Sequence, residues 1–311
     1  MKDWKIKVNS VLQLTPGHVC FLSKVLRDAP AEGAGLLCRS LPCGALSCSD
    51  KLHLTPRCRR SRATRSSANM TLAMTLWKAV VNVLCLPLHL MHAMGLYNIY
   101  KRIFPMCQSS FSIAYNTKMH EQKKELFGSL TQFTKPGGRL TLLEIGCGSG
   151  TNFQYYPPGC KVICTDPNPH FEKYLSKTMA DNDHLSYERF VVATGEDLGS
   201  VGHESVDVVV CTLVLCSVND IPQTLREVHR ILRPGGAFYF MEHVVADPST
   251  WSYFFQHVLQ PLWYYFGDGC EVIRETWKHL EAAGFSDLKL RHIQAPLVFM
   301  LKPHIVGYGV K

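Results

Sequence analysis

The chain has 311 residues, of which 46% are hydrophobic and 19% are charged, and such values are typical of a globular protein with a substantial core. Its net charge of +8 lies in residues 1–69, which carry 12 basic and 4 acidic side chains, whereas residues 70–311 carry 21 of each. The neutral body lacks the basic surface of a nucleic-acid-binding protein, so we expect no nucleic acid partner.

The thirteen cysteines form neither a Cys-x-x-Cys pair nor a local histidine–cysteine set, so the sequence predicts no metal site. Many of them lie in apolar runs typical of buried strands, where a thiol behaves as a small hydrophobic group. An odd count in a chain of this length disfavours a disulfide framework. We therefore expect the protein to face a reducing compartment.

Residues 1–69 show no steady periodicity and end in the basic run RCRRSRATRSSAN. We predict a poorly ordered basic extension, which would not be translated if Met70 or Met74 were the first residue. A basic arm or a targeting segment is the alternative. The segment lacks the continuous apolar core of a secretory signal.

Residues 70–104 are predicted to form a hydrophobic membrane anchor. The 19 residues from Ala79 to Tyr97 contain no charged side chain, and a spanning helix needs about 20 residues. Pro87 is expected to kink the helix near its middle. Residues 74–100 would then contact the membrane by crossing it, by lying in its interface or as a bent hairpin. The alternative is a buried helix of the soluble domain.

Residues 105–139 are predicted to lead into the main domain through a charged amphipathic helix at 115–133. From residue 140 to residue 311, strand-like and helix-like segments alternate, which predicts a doubly wound α/β sheet that is mostly parallel. The expected strands are 140–145, 161–165, 187–192, 206–212, 236–242, 285–292 and 304–310, and the expected helices are 151–156, 170–180, 221–231 and 273–283. The last two strands have no helix between them, so their pairing should be antiparallel.

The stretch LLEIGCGSG predicts a strand that runs into a glycine-rich turn at Gly146, Gly148 and Gly150. A dinucleotide fingerprint would need its third glycine at position 151, which is Thr, and a P-loop would need a lysine. Glu144, two residues before the first glycine, would repel a pyrophosphate. It suits a ligand that carries positive charge and no phosphate, such as S-adenosylmethionine.

Acidic residues also follow the next two predicted strands. Asp166 lies 20 residues after Gly146, where a carboxylate can accept hydrogen bonds from both ribose hydroxyls. Glu196 and Asp197 follow the third strand, and we assign Asp197 to the adenine amino group. With Thr212 at the end of the fourth strand, these residues predict S-adenosylmethionine as the cofactor.

The motifs EIGCGSG, TDPNP, GEDL, DVVVCTLVLCSV and LRPGG resemble those of class I S-adenosylmethionine-dependent methyltransferases. The longer stretches YYPPGCKVICTDPNPHFEKYL, LRPGGAFYFMEHV and PHIVGYGVK resemble the methyltransferase-like 7 subfamily, over about residues 74–311. The resemblance implies a Rossmann-like fold with seven strands. It also implies a thiol S-methyltransferase for small alkyl thiols or hydrogen sulfide, anchored to the endoplasmic reticulum and lipid droplets with its catalytic domain in the cytosol.

Transfer to a thiol needs little help from a base, because the donor is an activated electrophile and a thiol is partly ionised near neutral pH. His243, after the fifth strand, is the candidate catalytic residue, with an orienting or core role as the alternative. Cys216 and Ser217, after the fourth strand, are candidates for the substrate pocket.

Residues 251–266 contain eight aromatic side chains in sixteen positions. We predict a lid over an apolar substrate pocket, with Trp251 and Phe254 in the pocket, or a face beside the membrane anchor. An ordinary core helix is the alternative. Pro261 is expected to break the segment in two.

Two other functions stay open at the level of sequence. A methyltransferase of this fold could act on a lipid, quinone or sterol, although oxygen acceptors usually need a base or a metal. A lipid-droplet scaffold could bind the donor without turnover, although intact acids at positions 144, 166 and 197 argue against that alternative.

Overall fold

The structure is a computed structural model that describes residues 61–311, with side chains from residue 70 onward. The predictions for residues 1–60 lie outside the described residues. Within the described range the α-helices are α1 Ser61–Leu84, α2 Leu86–Ala93, α3 Tyr97–Lys118, α4 His120–Phe127, α5 Glu172–Ala180, α6 Ile221–Ile231, α7 Trp251–Phe266 and α8 Thr276–Glu281. The strands are β1 Thr141–Ile145, β2 Lys161–Asp166, β3 Ser186–Val192, β4 Val206–Thr212, β5 Leu232–His243, β6 Asp287–Gln294 and β7 Pro303–Val310.

The seven strands form one sheet in the order β3-β2-β1-β4-β5-β7-β6. The first five pair in parallel, whereas β7 lies antiparallel to both β5 and β6. The predicted doubly wound, mostly parallel sheet is therefore confirmed, together with its antiparallel last pair. The order reverses between β1 and β4, and ligands of such sheets bind at the carboxyl ends of the strands beside this point.

Both faces of the central strands are buried. On β4, Val208 and Val210 join the apolar cluster on one face of the sheet, and Val209 and Cys211 join the cluster on the other face. This double burial explains why β4 is a continuous apolar run without alternation.

The helices between the strands agree with the prediction to different degrees. Helix α6 has the predicted bounds, because one of its faces is apolar and the Asp220 side chain caps its start by accepting from the Gln223 N–H at 2.8 Å. The predicted helix at 151–156 is only a short 3-10 turn at Phe153–Tyr155. The last predicted helix is shorter than expected, as α8 has six residues.

Helices α1 and α2 form a bent pair. Their axes meet at 51° at Cys85, and Pro87 lies in the first turn of α2, so the predicted kink is confirmed. Among the described residues, no single helix is long and apolar enough to cross a membrane. Residues 70–84 and 86–93 reach that length and apolar character only as a bent pair. Helix α1 begins at Ser61, inside the segment predicted as an extension.

The lead-in segment is organised differently from the prediction. Helices α3 and α4 and a 3-10 turn at Leu130–Phe133 follow one another in place of one helix at 115–133. Helix α3 also crosses the predicted boundary between residues 104 and 105. Its side chains reach the carboxyl ends of the strands, so part of the segment assigned to the anchor belongs to the wall of the site.

Helix α7 continues through Pro261, so the predicted break is wrong. Contacts on each side of the proline hold the helix in place. Before it, the buried Gln260 side chain accepts from the Val272 N–H at 2.9 Å, and after it the Tyr265 carbonyl accepts from the Tyr97 hydroxyl at 2.9 Å. Such contacts offset the cost of about 3 kcal/mol that an interior proline imposes on a helix.

Candidate active site

The glycine loop after β1 has a backbone that only glycine adopts easily. Gly146, Gly148 and Gly150 have φ angles of 59°, 52° and 76°, in the left-handed region. A Cβ atom at Gly146 would lie 2.4 Å from a methyl carbon of Val214. The loop can therefore approach a neighbouring chain segment or a ligand closely, as the sequence predicted.

Glu144 lies beneath this loop and is not free. Its carboxylate oxygens accept from the Asn152 amide and from the Tyr156 hydroxyl, each at 2.7 Å, and the residue is 1% exposed. Burial raises the pKa of Glu144 to about 7, although the bonds from Tyr156 and Asn152 and the charge of Lys123 oppose the shift. A cationic ligand would have to share this carboxylate with its present partners.

Lys123 of α4 extends this arrangement into a buried network that the sequence did not predict. Its ammonium is 2% exposed and donates to Asn152 Oδ1 at 2.7 Å and to Asn116 Oδ1. Asn116 in turn donates to the Thr151 carbonyl at 2.5 Å. Burial lowers the pKa of Lys123 to about 8, with Glu144 opposing. The network joins α3 and α4 to the segment that follows the glycine loop.

Asp166 ends β2 and faces the glycine loop, as predicted. Its oxygens accept from the Gly148 N–H at 3.1 Å and from the Asn168 N–H at 2.8 Å. Each carboxylate oxygen has a second acceptor position, which leaves room for ribose hydroxyls. Burial raises the pKa of Asp166 to about 6, although the two backbone bonds oppose the shift.

A cavity of about 260 Å³, here called the glycine-loop cavity, is lined by α3 and by the loops after β1, β3 and β4. Gly146, Glu196 and Val214 form part of its wall. Asp197 does not, because its exposed side chain accepts from the Gly199 N–H at 3.1 Å and stays on its own loop. Asp197 thus lies outside this wall, and its assignment to adenine stays a prediction, whereas Glu196 and Asp268 are the acids that line the cavity.

The chain that follows β4 separates the glycine-loop cavity from a second cavity. Thr212 lies outside both walls, and its hydroxyl oxygen accepts from the Asn152 amide at 2.9 Å. Leu213 has a φ of 58°, a costly conformation for a leucine. As a result Val214 lines the glycine-loop cavity, while Leu213 lines a second one.

The second cavity, here called the apolar cavity, has a volume of about 250 Å³. Ser217 lies in the walls of both cavities, so the two are neighbours. Cys216 and His243 also line the apolar cavity. Most of the remaining wall is aromatic or aliphatic, and part of it comes from α3, including Phe104 and Phe111.

Helix α7 covers the apolar cavity with its carboxyl end only. Trp263 and Phe266 line the cavity. Trp251 and Phe254 lie outside its wall, so their place in the substrate pocket stays a prediction. Trp251 is 73% exposed and lies about 18 Å from Trp263 along the helix axis, at about 1.5 Å per residue.

Cys270 is the site residue that the sequence analysis missed. Its Sγ lies 3.0 Å from His243 Nε2, 3.1 Å from Trp263 Nε1 and 3.5 Å from Cys216 Sγ. No local spacing links these residues, since 27 and 54 positions separate Cys270 from His243 and Cys216. Buried polar atoms without a hydrogen-bond partner surround the same region: the Tyr115 hydroxyl, Glu242 Oε2, His243 Nδ1 and His304 Nε2.

Comparison with known proteins agrees with this geometry. A methyltransferase domain family matches residues 143–240, from β1 into β5. The human protein thiol S-methyltransferase TMT1A is 58% identical over 220 residues, which are 70% of this chain and 90% of that protein. The chain belongs to the thiol S-methyltransferase family. The resemblance inferred from the motifs is thereby confirmed, and this methyltransferase uses S-adenosylmethionine as its methyl donor.

One further relative and one solved structure match over a similar range of this chain. Human thiol S-methyltransferase TMT1B is 48% identical over 244 residues, which are 78% of this chain and 100% of that protein. A solved SAM-dependent methyltransferase from Thermotoga maritima is 18% identical, with a TM-score of 0.49, and the match covers 69% of this chain and 99% of the other.

Proposed function

We propose that this methyltransferase transfers the methyl group of S-adenosylmethionine to the sulfur of a small acceptor, either an alkyl thiol or hydrogen sulfide. One observation carries the proposal: the apolar cavity and the glycine-loop cavity share Ser217 in their walls. An acceptor in the first would therefore meet a donor in the second. The names of the human relatives, both thiol S-methyltransferases, support this acceptor class.

Residues of the glycine-loop cavity, together with Asp166 directly before the wall residue Pro167, would bind and orient the donor. Asp166 offers acceptor positions for the ribose hydroxyls, Glu196 offers a carboxylate for the adenine amino group, and Gly146 allows close approach of the backbone. When bound, the donor supplies a methyl carbon on a sulfonium, which is already electrophilic. The main task of the protein is then alignment of the two reactants, which can supply several kcal/mol of the barrier reduction.

The apolar cavity suits a thiol better than an alcohol or an amine. Its walls include Phe104, Phe111 and Leu213, and its volume of about 250 Å³ admits only a small molecule. A thiol is a weak hydrogen-bonding group and loses little when it leaves water, whereas a hydroxyl or amine pays a larger desolvation cost. The cavity also excludes water from the reacting sulfur.

We also propose that the enzyme works at a membrane surface, on the endoplasmic reticulum and on lipid droplets. Apolar side chains stand exposed along α1 and α2, namely Leu72, Leu76, Trp77, Val80, Val83, Leu84, Leu86 and Leu90. An exposed apolar surface of this kind favours a membrane or a partner, and the bend between the two helices suits an interfacial position. Lipophilic thiols would then be concentrated near the apolar cavity.

Product analysis with methyl-labelled donor tests the proposed acceptor. The purified full chain is incubated with ethanethiol, hydrogen sulfide, ethanol or a lipid phenol. We expect labelled ethyl methyl thioether from ethanethiol, labelled methanethiol from hydrogen sulfide, and no labelled product from ethanol or the phenol. Asp166→Ala, which removes the ribose acceptor, should abolish donor binding and turnover. Methylation of the phenol without any thioether would contradict the proposal, as would donor binding without turnover on either sulfur compound.

A further inference from the structure

Three side chains that can bind a metal converge in the apolar cavity from distant parts of the chain. Cys216 follows β4, His243 ends β5 and Cys270 follows α7. Their ligand atoms all lie within 4.8 Å of one another, and all three residues are buried. Within residues 70–311 this is the only group of three histidine, cysteine or acidic residues with such proximity.

Two of the three separations are close to those of a tetrahedral zinc site, and the third, between Cys216 Sγ and the His243 ring, is within 4.8 Å. Zinc–sulfur bonds of about 2.3 Å and zinc–nitrogen bonds of about 2.0 Å place two ligand sulfurs about 3.8 Å apart, and a sulfur and a nitrogen about 3.5 Å apart. The sulfurs of Cys216 and Cys270 are 3.5 Å apart, and Cys270 Sγ is 3.0 Å from His243 Nε2. Outward shifts of about 0.3 to 0.5 Å would therefore accommodate the ion.

Independent contacts hold the three ligands in place. The Glu271 N–H donates to the Cys216 carbonyl at 2.9 Å and so joins the two cysteine segments. Arg274 donates to two carbonyls of the loop after β4, at 2.8 and 2.7 Å. His243 lies in the sheet, where it pairs with His304 of β7. A metal site needs this kind of support from the surrounding structure.

The chemistry of the surroundings favours zinc over harder cations. Two thiolates and an imidazole are typical zinc ligands, whereas magnesium and calcium prefer oxygen. The Trp263 indole N–H lies 3.1 Å from Cys270 Sγ, where it would donate to a thiolate. Two thiolates would also balance the charge of the ion, so the site with zinc and without the acceptor would be neutral within its apolar walls.

We propose that Cys216, His243 and Cys270 bind a zinc ion whose fourth position takes the sulfur of the acceptor thiol. This inference deepens the proposed function and rests on it, because the fourth ligand is the substrate. It gives His243, the candidate catalytic residue of the sequence analysis, the role of a metal ligand. It also replaces the prediction that the chain has no metal site, which considered local spacing only.

The ion would prepare the acceptor for transfer. The S–H bond of the acceptor breaks, its proton leaves to solvent, and the sulfur remains as a thiolate, since coordination to a divalent cation deprotonates a thiol. A sulfur lone pair then forms the bond to the methyl carbon while the bond from that carbon to the sulfonium breaks. The broken bond leaves its electron pair on the departing sulfur of S-adenosylhomocysteine. From an alkyl thiol the methylated product is a neutral thioether, a weaker ligand that can dissociate.

Metal content of the full chain tests the site. The purified protein is equilibrated with zinc, desalted and analysed by elemental mass spectrometry. We expect about one zinc per native chain and at least a tenfold loss in Cys216→Ser, Cys270→Ser and His243→Gln, as for removal of a protein ligand. The matched control Cys160→Ser changes an equally buried cysteine at the start of β2 and should keep its zinc.

Cobalt provides a second readout that does not depend on activity. The cobalt-substituted chain should show a thiolate-to-cobalt charge-transfer band, and ethanethiol should shift its ligand-field bands by entering the fourth position. Circular dichroism of each variant reports whether it is folded. A folded native chain without bound zinc, or zinc retained in Cys270→Ser, would overturn the site. Loss of activity in His243→Gln with zinc fully retained would overturn the ligand role of His243.

Zinc content and product formation together distinguish failure of the metal site from failure of the proposed function. Methyl thioether formation by a chain without zinc would overturn the metal site and leave the acceptor assignment standing. Zinc binding without any thioether formation would overturn the acceptor assignment. Calorimetry with S-adenosylmethionine reports on the glycine-loop cavity in both cases, because its wall contains none of the three ligands.

Discussion

Burial sets the protonation of the acids at the cofactor end of the site. Asp166 lies at the end of β2 with both oxygens held by backbone N–H groups, and its pKa is raised from 3.8 to about 6. Glu144 is more deeply buried and has a pKa of about 7. The two carboxyl groups therefore titrate close to neutral pH, where the charge state of the site influences donor binding.

Donor affinity should fall when the pH is lowered through about 6, because protonated Asp166 is a poorer acceptor for the ribose hydroxyls. Protonation of one group can lower the donor affinity by at most about tenfold for each pH unit below its pKa. Calorimetry between about pH 5 and pH 8 measures the profile of the native chain and of Asp166→Asn, and the difference isolates this group from Glu144. Asp197→Asn, a change on an exposed loop, should keep the native profile.

The effect on folding has the opposite sign. A raised pKa means that Asp166 favours the folded state below pH 3.8, and that this contribution is lost as the pH rises through about 6. Acidification across this window should therefore stabilise the ligand-free chain at this position while it weakens donor binding. A native donor affinity that is constant from about pH 5 to 7 would contradict the role of Asp166.

At the scale of elements, the glycine loop depends on two helices that precede the sheet. Lys123 of α4 and Asn116 of α3 reach Asn152 and Thr151 just after the loop, and Asn152 bridges Lys123 to Glu144. Buried charges of this kind are costly when one partner is removed. The segment before the sheet is thus part of the cofactor site.

Lys123→Met should lower the free energy of unfolding by about 3–5 kcal/mol, because Asn116 and Asn152 lose a charged donor and Glu144 loses a nearby buried positive charge. Adding Glu144→Gln should restore part of the loss, with a coupling of at least about 1 kcal/mol between the two changes. Urea unfolding of the native chain, both single variants and the double variant measures this coupling. Lys124→Met, on the exposed face of the same helix, is the control and should have little effect. Strictly additive changes would contradict the network.

Predictions from sequence were accurate for the elements with a strong local period. The seven strands and helix α6 were found because their apolar positions repeat with the periods of strands and helices. The break at Pro261 was wrong because contacts of α7 with distant residues outweigh the local preference of proline. The lead-in was mispredicted because α3 and α4 meet at Met119, with no proline or glycine there to mark the change.

For the whole molecule, the exposed apolar face of α1 and α2 predicts membrane binding. The double variant Leu84→Asp and Leu90→Asp should bind phosphatidylcholine vesicles at least about tenfold more weakly, since each leucine would bury its side chain in the bilayer interface. Flotation of the full chain with vesicles measures the bound fraction.

Tyr187→Asp is the matched control for this experiment, because Tyr187 is an exposed apolar side chain on β3 at the edge of the sheet. It should float as the native chain does. Thiol methylation in detergent should be retained in both variants, which shows that they are folded. Equal flotation of all three proteins would contradict a membrane-binding face on α1 and α2.

The sequence alone determined the α/β fold and the methyl donor, because strand periods, glycine spacing and acids at strand ends are local patterns that survive without knowledge of packing. Only the tertiary structure decided that Glu196 lines the glycine-loop cavity and that the adjacent Asp197 does not, because the Asp197 side chain bonds to its own loop. It also decided that α3 forms part of both cavity walls. The meeting of Cys216, His243 and Cys270 depends on the crossover connections of the sheet, which bring together residues up to 54 positions apart, and no local pattern encodes such contacts.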